Sequence, residues 1–282
     1  MKKVLLASTA LALSAGSLSA AEMNWSGSAG AGVGQTANTE LEVWSGIDIN
    51  VSASTTTDSG ITLSVSEDWG GGELADYDDD YAIEAQTSDL DTPTLTIGVG
   101  GTTITLENQA IDDLYDDSQN GDIGIASTVG SLGISVVMDT DAAAGEASLS
   151  YSLSGSMGAI GLSLVGTDAN DNGNEATKIA ASYGAGDLTY GASIDDNGAA
   201  DDVTEVTVAY KTGDLSVSFA ADDADDWSMS VGYNVSGISI NYATDKAEEW
   251  EANASYDLGG GATFKAAVNH AEYLAAGMQF SF

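Results

Sequence analysis

The residues in this chain best suited to chemistry are carboxylates. Asp112, Asp113, Asp116 and Asp117 crowd around Tyr115 within one short stretch. Fixed negative charge of that density, set inside a low-dielectric wall, concentrates cations and repels anions. Free in water, the same stretch is an ordinary solvated acidic loop. A second pattern, Asp168, Asn170 and Asn172 followed by Gly173, matches the front half of the helix-loop-helix calcium signature. The closing Glu is missing at its expected spacing, so the full motif is absent. What remains is loose bridging of calcium or magnesium by crowded loop carboxylates; no other cofactor is implied.

Catalysis finds little to work with. The chain has one histidine, His270, and no cysteine, which leaves neither a nucleophile–base–acid arrangement nor a Cys/His metal site. The glycines at 70–72 and 259–261 are expected in loops or turns, without the helix that a phosphate cradle requires. An enzyme is therefore not expected. Net charge is −38. Past residue 21 the only lysines are Lys178, Lys211, Lys246 and Lys265, and arginine is absent. Such a chain cannot neutralise phosphates, which excludes nucleic acid as a partner.

Two-residue periodicity dictates the elements that hold these groups. Trp250, Ala252, Ala254, Tyr256 and Leu258 alternate with Glu251, Asn253, Ser255 and Asp257. Trp227, Met229, Val231, Tyr233 and Val235 alternate with Ser228, Ser230, Gly232, Asn234 and Ser236. By the same pattern 18 strands are expected, from 23–34 through 273–282, with a weaker alternation over 81–87 left as loop or as an extension of its neighbour. The connections alternate between tight turns, such as Gly130-Ser131 and Gly186-Asp187, and longer loops rich in Asp and Asn, such as Asp168 to Glu175. Short turns at one rim and long loops at the other are the stringing of a transmembrane β-barrel, in which apolar residues face lipid and polar residues the lumen. Trp25, Trp227, Trp250, Tyr183, Tyr210, Tyr233 and Tyr256 sit near strand ends, as an interfacial girdle requires. Strand register points Lys178, Glu205, Lys211, Glu251 and Lys265 into the lumen. The inward set is otherwise small, Ser, Thr, Gly, Ala and Asn, which leaves a lumen open.

The chain starts with Lys2 and Lys3, a short apolar core, and a small-residue close at Ser19-Ala20-Ala21. This is the order of a cleaved secretory signal over residues 1–21, with the barrel domain over 22–282. An exported chain without an apolar run long enough for a membrane helix can enter a membrane only as a closed barrel.

The sequence resembles the general porins of Gram-negative bacteria, in their alphaproteobacterial branch. The likeness is carried by Glu22-Met23-Asn24-Trp25-Ser26-Gly27, Thr56-Thr57-Asp58-Ser59-Gly60, Ala254-Ser255-Tyr256-Asp257-Leu258-Gly259-Gly260-Gly261 and the closing Gly277-Met278-Gln279-Phe280-Ser281-Phe282. The resemblance implies an all-β antiparallel transmembrane barrel of 16–18 strands in the outer membrane, with short periplasmic turns and longer acidic outer loops. It implies a homotrimer embedded in outer-membrane lipid, and recognition of Phe282 by the barrel-assembly machinery. A third outer loop folded into the lumen would form the constriction, here the segment with Asp112, Asp113, Tyr115, Asp116 and Asp117. The arginine cluster common on the facing wall is missing. The expected function is a water-filled channel for passive diffusion of small hydrophilic solutes and ions, preferring cations. The alternative is a closed-lumen barrel serving as a surface adhesin or binding protein.

Overall fold

The computed structural model describes residues 21–37, 39–77, 82–86, 92–115, 119–143, 146–170, 173–198 and 202–282. The expected secretory signal, apart from Ala21, and the candidate residues Asp116, Asp117 and Asn172 lie outside the described residues. The strands begin with Glu22–Gln35 (β1), Glu42–Thr56 (β2), Thr62–Ala75 (β3), Ile83–Ala85 (β4), Thr94–Val99 (β5) and Thr102–Asp112 (β6). They continue with Asn120–Val129 (β7), Leu132–Met138 (β8), Leu149–Met157 (β9), Ile160–Thr167 (β10), Ala176–Ala185 (β11) and Leu188–Asp196 (β12). The last are Val203–Thr212 (β13), Leu215–Asp222 (β14), Trp227–Val235 (β15), Ile238–Asp245 (β16), Trp250–Gly259 (β17), Ala262–Asn269 (β18) and Leu274–Ser281 (β19).

Every strand pairs antiparallel with its neighbours. β3 pairs with β5 over Thr62–Ser66, so the barrel wall passes over β4 and contains 18 strands among the described residues. The ring closes where β1 meets β19, from Ser28↔Ser281 to Gln35↔Leu274. Below that seam Gly27 and Phe282 exchange backbone hydrogen bonds of 3.0 Å in both directions. Closure leaves no free sheet edge, the condition for a sheet to span lipid. The count of 18 agrees with the periodicity and exceeds the 16 strands usual for the resembled family.

Alternation sorts the side chains as lipid demands. Trp25, Leu162, Ile179, Tyr183, Phe219, Tyr233, Tyr256 and Phe264 stand exposed on the outer face, while the Ser, Thr, Asn and most charged residues of the strands alternate with them and point inward, Glu67 on β3 excepted. The main cluster of buried apolar side chains, Trp44, Leu74, Ala75, Tyr77, Ala267 and Ala275, lies on the inner side of the wall. Turns at the short rim use glycine where the backbone turns left-handed, as at Gly130 (φ 66°) and Gly186 (φ 65°).

One segment departs from the expected layout. Within the weak alternation over 81–87, whose first and last residues lie outside the described residues, Ile83–Ala85 forms β4, which is neither loop nor an extension of a wall strand. It folds back on the end of β3 through Glu73↔Ala85, Leu74↔Glu84 and Ala75↔Ile83. Gly70–Gly72, expected in a loop or turn, lie within β3, where Gly72 takes φ 78° and the strand bends into the barrel. The hairpin of β3 and β4 packs on a bare strip of wall. Gly30, Gly32 and Gly34 face inward at alternate positions of β1, and Cβ atoms there would meet Leu74, Trp44 and Ile83 in turn.

Trp44 holds this second layer. Its side chain is 1% exposed and points into the lumen, against Leu74, Ala75, Tyr77, Ala267 and Ala275. A side chain at Gly277 would collide with its indole and with the Ala31 carbonyl. Gly277→Leu is therefore expected to lower the unfolding midpoint in urea by about 1–3 kcal/mol of stability, the usual penalty for overpacking. Met278→Leu on the lipid side of the same strand, measured alongside, is expected to shift it far less.

Candidate pore constriction

The third loop enters the lumen because β6 carries extra residues. Its pairing with β7 is regular to Leu106↔Ile123 and resumes at Ile111↔Gly121, so four residues of β6 face one of β7. Gln109 sits in this bulge at φ 54° and donates its backbone N–H to Asp122 Oδ1 (2.9 Å). Its side-chain amide bridges Asp139 Oδ1 (2.8 Å) and Asp141 Oδ1 (2.7 Å). The strand pair thus leans inward, with Ile111 lying over Gly124.

The far end of the loop docks on the opposite strands. The Leu114 N–H donates to Ser150 Oγ on β9 (3.0 Å), and the Thr167 hydroxyl on β10 points to Asp113 Oδ2 at 3.5 Å. Tyr115 donates its hydroxyl to Asp195 Oδ1 on β12 (2.6 Å), and Asp195 also faces Lys178 Nζ at 3.6 Å. Asp113, buried at 6% exposure, spends its other oxygen on the Tyr115 N–H (2.7 Å). Asp112 remains exposed at the end of β6. Of the expected acidic cluster, Asp112 therefore faces water while Asp113 fastens the loop.

The β3–β4 hairpin narrows the lumen from the other side. Tyr77 lies just past β3 within the hairpin, and Lys265 on β18 places Nζ 5.3 Å from its ring centroid, within cation–π range. Burial pushes the Tyr77 hydroxyl up to about 12, so it stays protonated. The third loop leans over β9–β12 and the hairpin over β18, β19, β1 and β2.

The remaining lumen positions follow the register. Lys178 and Glu205 line a cavity of about 700 Å³ with Ser154, Ser182, Ser193 and Thr207. Glu251 lies on β17 in the series of Asn253 and Ser255, and Lys265 opposite Ser255 on β18. Lys211 lies in the inward series of β13 but at the turn rim, exposed and opposite Ser216.

This architecture agrees with what known proteins show. The family model of Gram-negative porins matches residues 127–276, more than half of the chain. The chain belongs to the Gram-negative porins. The family places it in the outer membrane among channel-forming barrels. A triple mutant of the Rhodopseudomonas blastica porin matches with TM-score 0.54 at 15% identity, over 93% of this chain and 100% of that one. Another engineered variant of the same porin matches at 16% identity with equal coverage and TM-score 0.54. At such identity these two establish the fold. No curated protein sequence matches the chain.

Of the porin's calcium-like residues, Asp168 and Asn170 are engaged in hydrogen bonds of its own loops. Asn170 is buried and brackets its loop, donating to the Asn197 carbonyl (2.7 Å) and accepting from the Asn174 N–H (3.1 Å). Among the described residues a close gathering of carboxylates lies elsewhere, at Asp122, Asp139 and Asp141, whose oxygens lie within 4.8 Å of one another around the Gln109 amide. Sequence reasoning missed this set, since the three aspartates come from two strand ends and a loop with no motif spacing. It also missed Trp44 and Tyr77. The available signal was Trp44 itself, a large aromatic standing in the inward series of Gly46, Asp48 and Asn50.

Asp168, just past β10, ties that strand to the start of β9. Partial burial works against its charge, but the Ser148 hydroxyl and the Leu149 and Ser148 amides outweigh it and hold the carboxyl below its usual range. A carboxyl lowered in the folded state stabilises fully above its unfolded pKa and stops doing so as pH falls through the lower folded value. Proteolysis between residues 139 and 148 is therefore expected to accelerate on acidification below the ordinary carboxylate range. Asp168→Asn is expected to cleave quickly at neutral pH and to lose most of that pH dependence.

Proposed function

We propose that this porin is a water-filled channel that passes small hydrophilic solutes and prefers cations. The observation that carries the reading is the charge on the inner face. Asp48, Asp195, Glu205, Glu251 and Asp257 stand in inward series, arginine is absent, and Lys178 is already matched by Asp195. Carboxylates in a narrow lumen with low-dielectric walls raise the local cation concentration and repel anions. Openness is supported by the small hydroxyl-bearing residues that line the larger cavity.

Single-channel recording in a planar bilayer across a potassium chloride gradient tests this. Discrete conductance steps with a reversal potential toward the potassium equilibrium value are expected. Glu205→Gln combined with Glu251→Gln is expected to move that potential toward zero. Steps with an anion-selective potential would overturn the electrostatic reading. Absence of steps from folded protein would return the closed-lumen adhesin.

The channel is further proposed to assemble as a homotrimer through the outer face of β1–β3. Glu67 points outward there beside Val51, next to Trp25 and Trp69, whose rings meet edge to face at 6.3 Å. An acid in that position is better accommodated by protein than by hydrocarbon. Cross-linking in detergent is expected to give a species of three chains, and Glu67→Lys with Trp69→Ala is expected to shift it to monomer. Monomer from the unmodified protein would overturn the assembly.

A further inference from the structure

The inner wall of β9–β13 carries hydroxyls that no described residue uses. Ser154, Ser163, Ser182, Ser193 and Thr207 line the cavity of about 700 Å³ together with Glu205. Their hydroxyls make no hydrogen bond among the described residues, although Ser154 and Ser163 face each other across β9 and β10. The neighbouring strands behave otherwise. There the same kind of cross-strand pair, Ser218 and Ser230, closes at 2.6 Å, and the Asn241 amide donates to Asn253 Oδ1 at 2.9 Å. Ser193 is the sharpest case. It is 8% exposed, yet it lines the cavity with its hydroxyl unmatched, and a polar group so buried calls for a partner.

Register explains why these groups miss one another. One rung runs Gly161, Ser182, Gly191, Thr207 across β10–β13, so its hydroxyls stand on every second strand, roughly 10 Å apart. The next rung runs Ser163, Ala180, Ser193, Glu205. The glycines keep hollows between the hydroxyls: a Cβ at Gly161 would meet Ser182 Oγ, and one at Gly191 would meet Thr207 Oγ1. The third loop bounds the wall on the long-loop side, through its anchors at Ser150 on β9 and Asp195 on β12. Asp195 also holds Lys178 Nζ at 3.6 Å, while Glu205 enters no ion pair among the described residues.

We propose that this wall is a weak binding station for neutral polyhydroxylated solutes, of the size of a mono- or disaccharide. A hydroxyl both donates and accepts, whereas an ionised carboxylate only accepts. A sugar presents both functions around its whole edge, so it serves two rungs at once, with Glu205 accepting from a pair of its hydroxyls. An anion meets Glu205 and is repelled. A monovalent cation leaves the donors unused. A zwitterion needs the Lys178 ammonium that Asp195 already holds. The space suits such a ligand, since small-molecule sites span about 300–1,000 Å³. No aromatic side chain among the described residues lines it, so hydrogen bonds alone hold the solute and its stay is brief.

The station rests on the open-channel reading, and the test separates the two. Sucrose is added to the porin in a planar bilayer in potassium chloride. A polyethylene glycol of matching mass, with ether acceptors throughout and donors only at its ends, is the control. Sucrose is expected to add saturable current noise beyond the fall in bulk conductivity, and the glycol to follow bulk conductivity alone. Ser193→Ala is expected to raise the half-saturating sucrose concentration roughly fivefold, the loss of one neutral hydrogen bond. Ser182→Ala with Thr207→Val is expected to raise it at least as far, and Ser218→Ala on β14 to leave it unchanged. Equal noise from sucrose and the glycol would overturn the station and leave the channel standing. So would a half-saturation unchanged in all the cavity variants. An unmodified protein without conductance steps would overturn the channel reading and the station with it.

Discussion

Hydrocarbon offers a backbone no hydrogen-bond partner, and nearly every feature of this molecule follows from that. Each strand must be paired on both sides, so the sheet closes on itself where β1 meets β19. Closure fixes an inside and an outside, and lipid then requires the apolar side chains to face out. A water-soluble sheet protein buries such side chains between layers. Here they form the exposed surface, and the polar series is enclosed instead.

Enclosed space creates the second problem, how to fill part of it without blocking all of it. The chain solves it twice with one device, a strand that departs from ideal pairing and bends inward. In β6 the departure is the bulge around Gln109, fixed by Asp122, Asp139 and Asp141. In β3 it is the bend at Gly70–Gly72, received by the alternating glycines of β1 and by Trp44. The two insertions differ in chemistry. The third loop is tied by polar contacts from Leu114 and Tyr115 to distant strands, whereas the hairpin is held by apolar packing. Acidic residues near the first therefore have structural duties, as Asp113 shows, and the number of carboxylates overstates the charge free to act on a permeating ion.

Strand number, alternation and the unequal rims were legible in the sequence because lipid enforces them residue by residue. Leu63, Val65 and Trp69 cannot exchange faces with Ser64, Ser66 and Asp68 without placing polar groups in hydrocarbon. The inward faces of Lys178, Glu205, Glu251 and Lys265 follow from the same parity. What the pattern could not convey is which inward groups meet across the lumen. Tyr115 and Asp195 are 80 positions apart in sequence, and no local period relates them. Tyr77 and Lys265 belong to opposite ends of the chain. The hairpin was hidden for another reason. Its partner is a row of glycines, Gly30, Gly32 and Gly34, which reads equally well as open wall and as a landing strip for a second layer.

The seam has a consequence in time. Ser28 finds its second neighbour in Ser281, and Gly27 in Phe282, each more than 250 positions away along the chain. Pairing between positions so distant carries nearly the whole loop-closure entropy of the chain. No shorter subset of strands is free of edges, so partial barrels in lipid stay exposed and adhesive until the ring is complete.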